Sequence, residues 1–271
     1  MNNLKKQFLG YLNTPSLFSE INGLKQFELD IKEFEQFDFS KLDLSSKLTL
    51  GSRVEDFFRF YINHSSKYEL VKHNIQIIHE KNTLGELDFI LFDKKAQKYI
   101  HVEHVYKFYL YDDSFQNEID RYIGPNRNDT FSKKLEKLKN RQLPLLYKDE
   151  TKGYLENIDI NTCEQKLCFK GNIYLPLHLA NSTVSLVNNS CVRGFYLSRK
   201  AFVSDMSFHS FEYFLPDKFD WVSHPNSNER WVSFDEVMIQ IDELLQKEKS
   251  PLVWLKDTKN NTTKSFFVTW W

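Results

Sequence analysis

The stretch GELDFILFDKKAQKYIHVEHVYKFY, from Gly85 to Tyr109, restricts the fold more than any other part of the chain. Leu87, Phe89 and Leu91 alternate with other residues, as one core face of a strand does. The β-branched and aromatic residues from Tyr99 onward predict a second strand. The polar run between them predicts a tight connection. With Lys95 and Ala96 at its centre, Asp93 faces Lys98 and Asp88 faces Glu103. Opposed residues of an antiparallel pair have Cβ atoms roughly 4.5–5.5 Å apart, and like charges there are destabilising. Two facing carboxylates are tolerated when one is protonated or when a cation lies between them.

Alternation adds company to that pair. Glu86, Asp88 and Ile90 share a face with His101, Glu103, Val105 and Lys107, while Leu87, Phe89 and Leu91 turn to the core. Two readings stay open. A hard divalent ion such as Mg²⁺ takes oxygen ligands and is usually held by one or two carboxylates plus water and substrate phosphate. Alternatively the face is solvated, with an ion pair between Glu86 and Lys107. A connection two residues different would set Asp88 against Val105 and remove the facing acids.

Around the hairpin the pattern is that of an α/β protein. In GSRVEDFFRFYINHS, Val54, Phe57, Phe58 and Tyr61 recur on one helical face, and Ser52 with Glu55 has the form of a capping box. A strand is expected from Leu70 to His79, with turns at Asn82 and Gly85. Gln76, in HNIQI, is placed to look toward the acids from that neighbouring strand. After YIGPNRNDTFSKKLEKLKNRQLP, a loop and helix capped by Asn128 or Asp129 and stopped by Pro144, the segments GNIYLPL and VRGFYLS read as strands. The last third holds all five tryptophans, better suited to packing than to base stacking, with an expected hairpin in DWVSHPNSNERWVSF, an amphipathic helix in FDEVMIQIDELLQK and a terminal hairpin. FELDIKEFEQFDF, Phe27 to Phe39, fits helix and strand equally. We therefore expect a covering segment over 1–49, a core over 50–200 and a Trp-rich extension over 201–271.

Composition narrows the classes. The chain is 41% hydrophobic and 15% aromatic, enough to bury a core. A formal net charge of −1 means that any polyanion site is local. Three cysteines, Cys163, Cys168 and Cys191, make neither a disulfide framework nor a zinc set and point to a reducing compartment. No stretch approaches the about 18 apolar residues of a membrane span. A cytoplasmic protein without membrane contact is expected. Between Arg121 and Arg141 lie seven basic residues against two acids. There the GPNR loop feeds a helix start that favours phosphate. Asn126, Arg127 and Lys133 are the candidates for a nucleic-acid backbone, against the plain reading of a solvated helix face. No P-loop, GxGxxG, HExxH or GxSxG motif is present.

The order of these parts resembles the PD-(D/E)XK nuclease-like superfamily, with an acid on a helix, then Asp and Glu-x-Lys on a strand hairpin. More closely, SRVEDFFRFYI, HNIQI, LGELDFIL, HVEHVYKFYL, GPNRNDTFSKKLEKL, RGFYLS and the PLVWLK…FFVTWW ending are similar to an uncharacterised bacterial family, domain of unknown function 1853. The superfamily resemblance implies a central mixed sheet flanked by helices and Mg²⁺- or Mn²⁺-dependent hydrolysis of nucleic acid, with DNA the expected partner. It implies Asp88 and Glu103 as metal ligands, the His104 carbonyl as a third oxygen and Glu55 as a water-mediated ligand. Lys107 would orient the attacking water or stabilise the phosphate charge. His101 and Glu86 border the site. A literal Glu-x-Lys would place lysine at 105, where this chain has Val105. That departure keeps open a non-catalytic relative acting as a nucleic-acid-binding or scaffold module.

Overall fold

The computed structural model describes residues 2–30, 37–44, 49–224 and 230–271. Parts of the Phe27–Phe39 segment and of the expected 220–234 hairpin therefore lie outside the described residues. The chain opens with α1 (Asn2–Asn13) and a short hairpin of β1 (Glu20–Ile21) and β2 (Leu24–Lys25). Then come α2 (Leu50–His64), β3 (Tyr68–His79), β4 (Asn82–Asp93), β5 (Lys98–Tyr111) and β6 (Tyr122–Ile123). A helical stretch contains α3 (Phe131–Lys137) and α4 (Leu143–Leu145), followed by α5 (Asp149–Lys152). The remainder is β7 (Glu164–Pro176), β8 (Val192–Ser198), α6 (Arg199–Ser204), β9 (Glu212–Phe214), α7 (Phe234–Leu245), β10 (Leu252–Asp257) and β11 (Thr262–Thr269).

Among the described residues nine strands make one mixed sheet, in the order β3-β4-β5-β7-β8-β11-β10-β9 with β6 on β5. β8 runs parallel to β7 and to β11, whereas β3–β4–β5 and β9–β10–β11 are antiparallel. The protein is thus a mixed α/β protein whose sheet is flanked by helices. No described helix is long and apolar enough to cross a membrane.

The chain divides into two compact units. One comprises Met1–Pro15, Lys107–Ser132 and Gly171–Trp271. Its core gathers Phe202, Tyr213, Val237, Ile241, Val253, Phe266 and Val268 around α6, α7 and the strands β8 to β11. Helix α7 starts at a capping box between Ser233 and Glu236, which satisfies backbone N–H groups at its first turn. Trp254 is buried, and Trp221 packs edge-on against Phe108 and Phe267, so these indoles serve the core.

The other unit comprises Ser16–Tyr106 and Lys133–Lys170. In α2 the expected apolar face is buried, with Val54, Phe57, Phe58 and Tyr61 all inaccessible, and Phe58 lies 4.7 Å from the ring of Phe89. The cap differs from expectation. Thr49 is the N-cap, its hydroxyl accepting the Ser52 amide at 3.1 Å, while Ser52 Oγ accepts the Thr49 amide at 3.3 Å. Ser52 is therefore the third residue of the first turn, and Glu55 plays no part in the cap.

The turn between β3 and β4 is also displaced from its expected place. Glu80 and Lys81, at φ +47° and +68°, form a two-residue connection with both residues left-handed, the geometry that matches strand twist. Neither residue advertises that conformation as Asn-Gly would. Asn82 and Gly85 belong to β4 instead. Gly85 answers to packing, since a Cβ there would sit 2.8 Å from Leu145 Cδ2.

Candidate functional site

The β4–β5 register is the one the sequence predicts. Asp93 is opposite Lys98 and Phe89 opposite Val102, with Asp88 and Glu103 the next residues along. A local device fixes it. Asp93 Oδ1 accepts the amides of Lys95 and Ala96 at 2.9 and 2.8 Å, and Gln97 turns back at φ +54°.

Asp88 and Glu103 differ in how they are held. Asp88 Oδ2 accepts the His104 amide at 2.8 Å, and among the described residues its other oxygen accepts no hydrogen bond. Glu103 is fully buried with both oxygens engaged. Its Oε1 lies 3.0 Å from His101 Nε2, and its Oε2 accepts Nε2 of Gln142. The surroundings define the His101 tautomer. Gln165 Nε2 donates to the Leu143 carbonyl at 2.7 Å and lies 3.1 Å from His101 Nδ1. Nδ1 must then accept, which leaves the proton on Nε2 to donate to Glu103.

A compensating cation comes from the helical stretch at 131–145. Lys134 Nζ donates to Gln142 Oε1 at 2.9 Å, so Gln142 links the ammonium to Glu103. These two residues are eight apart. In an unbroken α-helix of 3.6 residues per turn they would overshoot alignment by about 80°. Residues Leu138–Gln142 form a π turn, with the Leu143 amide on the Leu138 carbonyl, and this wider turn takes up most of the overshoot. The widening immediately precedes Pro144, whose ring would crowd the Asn140 carbonyl in a regular α turn. Pro144 thus distorts the helix rather than stopping it, and α4 runs on to Leu145.

Electrostatics concentrate on Asp88. Burial, the charge of Glu103 and that of Glu55 together hold its carboxyl well above the ordinary carboxylate range; the His104 amide and Lys134 pull the other way. Glu55 is half-buried on α2 and reaches Asp88 through its field. His104, buried behind the pair with Phe58 5.2 Å away, is driven by burial and by Lys170 and Lys134 down to about 3, and is a neutral imidazole.

The other expected residues have distinct neighbours. Lys107 Nζ sits 2.5 Å from Asp129 Oδ2. Gln76 is opposite Glu86 and donates to it at 3.4 Å on an exposed face. Asn126 Oδ1 accepts the Ser250 amide at 2.9 Å. Arg127, at φ +59°, lies 4.4 Å above the Trp271 ring and 3.7 Å from Asp112. Lys133 is exposed on α3. Sequence reasoning missed Lys134, Gln142 and Gln165. A signal existed for two of them: Lys134 follows Phe131 by three and precedes Leu138 by four, and Gln142 follows Leu138 by four, so both lie on the apolar face. Gln165 carried none.

Among the described residues no group of three or more His, Cys, Asp and Glu side chains is arranged to hold a metal ion. The donors available are narrower: two carboxylates with one oxygen uncommitted, hard oxygens of the kind a Mg²⁺-type ion would take together with water.

The mixed sheet thus carries a fully buried Glu103 beside a half-buried Asp88. Residues 12–268 match the family described as Domain of unknown function (DUF1853), and the chain belongs to it. No curated protein and no solved structure matches.

Proposed function

We propose that this chain is a Mg²⁺- or Mn²⁺-dependent nuclease that hydrolyses phosphodiester bonds of nucleic acid, with DNA the substrate. The observation that carries the reading is the placement of Asp88 beside Glu103 with one carboxylate oxygen that accepts no hydrogen bond among the described residues; burial, Glu103 and Glu55 oppose its charge, and the His104 amide and Lys134 favour it. A fold keeps such an arrangement at a cost in stability, which a bound cation would repay. A divalent ion lowers the pKa of bound water and screens phosphoryl oxygens during attack. Asp88 and Glu103 would hold it. His101 and Gln142 fix the rotamer of Glu103, Glu55 is placed to accept a hydrogen bond from water, and Lys134 balances developing negative charge.

The ion leaves a thermal signature. In EDTA at pH 7, Asp88→Asn is expected to melt higher than the native protein, because it removes a buried carboxylate repulsion. The sign follows from the raised pKa of Asp88. A carboxyl that holds its proton more tightly when folded contributes stability at low pH, and that contribution is lost as pH rises from about 4 through the folded pKa. The gap between variant and native protein should therefore close toward pH 4. Millimolar Mg²⁺ should raise the native melting temperature and leave Asp88→Asn unmoved. A variant that melts lower than the native protein at pH 7 would sink this account.

Which lysine serves the site is decided by comparison. Lys134→Met is expected to slow cleavage about 10- to 100-fold, the usual range for a group that orients a ligand. Lys107→Met, whose ammonium is committed to Asp129, should change it far less. The reverse order would return the role to Lys107.

One observation favours the second reading, a non-catalytic binding or scaffold module. Glu103 already has both oxygens satisfied by protein donors. On that reading Mg²⁺ produces no thermal shift and no cleavage is seen on DNA or RNA.

A further inference from the structure

A second cluster, of opposite sign, lies within the unit that contains the C-terminal strands. It surrounds a cavity of about 200 Å³ whose wall includes Asn172, Arg193, Ser223, His224, Lys264 and Ser265, and among the described residues no Asp or Glu lines it. Arg193 and Lys264 each stand one residue before Gly194 and Ser265, which are partners in the parallel β8–β11 ladder. Two cations on neighbouring strands with no acid between them repel, as the acids of β4 and β5 do.

The backbone is shaped to aim Arg193. In the β7–β8 pair, Ile173 faces Val192 and Tyr174 faces Gly194, so Arg193 is the extra residue of a bulge. Bulges re-aim side chains and recur beside functional sites. Gly194 allows the close strand approach: a Cβ there would lie 1.9 Å from the Ser265 carbonyl oxygen. Arg193 Nε donates to Asn172 Oδ1 at 3.2 Å, which fixes the guanidinium plane, while its terminal nitrogens and the Lys264 ammonium make no ion pair among the described residues. Ser223 Oγ is buried and has no hydrogen-bond partner among the described residues. Partial burial, and to a lesser extent Arg193, hold the His224 imidazole below its ordinary pKa.

We infer that this cavity is a binding site for a phosphate group, as the free ion or on a small monoester, held by the Arg193 fork, the Lys264 ammonium and the Ser223 hydroxyl. Arg matches the bidentate geometry of phosphate oxygens, Lys adds a point charge, and a buried hydroxyl without a partner gains one. The inference is independent of the carboxylate site.

The test is calorimetric titration of the full chain with inorganic phosphate, and separately with adenosine monophosphate, in EDTA at constant ionic strength set with chloride. EDTA removes divalent ions, so phosphate cannot report on the carboxylate pair. Saturable binding is expected, weakened at least about tenfold in Arg193→Met and in Lys264→Met, as for loss of a charge-assisted bond. Lys264 is exposed, so its variant tests the idea even if Arg193→Met fails to fold. Binding of the monophosphate but not the free ion identifies an ester ligand; binding of both identifies the phosphate itself. Absence of saturable binding to either, or binding that the folded Lys264→Met variant retains in full, overturns the proposal.

Discussion

Asp88→Ala and Glu103→Ala are each expected to abolish Mg²⁺-dependent cleavage of DNA, lowering the rate by roughly a thousandfold or more. The magnitude follows from the several kcal/mol that a Lewis-acid ion supplies to the transition state, at 1.36 kcal/mol per tenfold in rate. The two losses should have different thermal companions. Asp88→Ala relieves a cost, because burial, Glu103 and Glu55 all oppose its charge. Glu103→Ala leaves the His101 imidazole and the Gln142 amide without their acceptor in a fully buried place, and it should lower the melting temperature. Cleavage assays on single-stranded, double-stranded and branched DNA and on RNA, with both variants beside the native protein, check the first effect, and melting curves the second. If all three proteins are inert on every substrate, or equally active through a contaminant, the enzyme reading falls and the binding-module reading takes its place.

Gly194→Ala is expected to be the most destabilising single methyl that can be added to β8. The new Cβ would meet the Ser265 carbonyl oxygen at 1.9 Å and its carbon at 3.1 Å, both backbone atoms of the adjacent strand. Neither can swing aside as a side-chain tip can. Overpacking costs typically 1–3 kcal/mol, and a backbone collision belongs at the upper end. For a chain of this size that is roughly 6–12 °C in melting temperature. Gly153→Ala, which meets nothing within 4 Å at a helical φ of −65°, is the matched control and should move it little. Thermal melts of the two alanine variants decide the matter. Equal melting temperatures would mean that β8 and β11 separate more readily than their parallel register suggests.

The hairpin acids were legible in the sequence because what fixes them is local. Alternation set the faces of β4 and β5, and Asp93 set the register by gathering the amides of its own turn. The apolar face of α2 was legible for the same reason, through a repeat of 3.6 residues. Failures were local too, where chemistry was ambiguous. Both Thr49 and Ser52 can cap a helix, and only the fold chose Thr49. Glu80 and Lys81 adopt left-handed conformations that their side chains do not favour, because β3 and β4 pair around them.

Lys134, Gln142 and Gln165 were beyond reach of any such rule as members of one network. They come from a helix and from β7, remote in sequence from Glu103, and only packing brings them to it. The same holds for Arg193 and Lys264, which stand on strands made neighbours by the parallel β8–β11 ladder. The sequence by itself determined the β4–β5 hairpin, the apolar face of α2 and that two acids share a face, since these depend on periods of two and 3.6 along the chain. The tertiary structure alone decided which cation answers them, because electrostatic partnership depends on distance through space, and distances between remote segments are set only when the core closes.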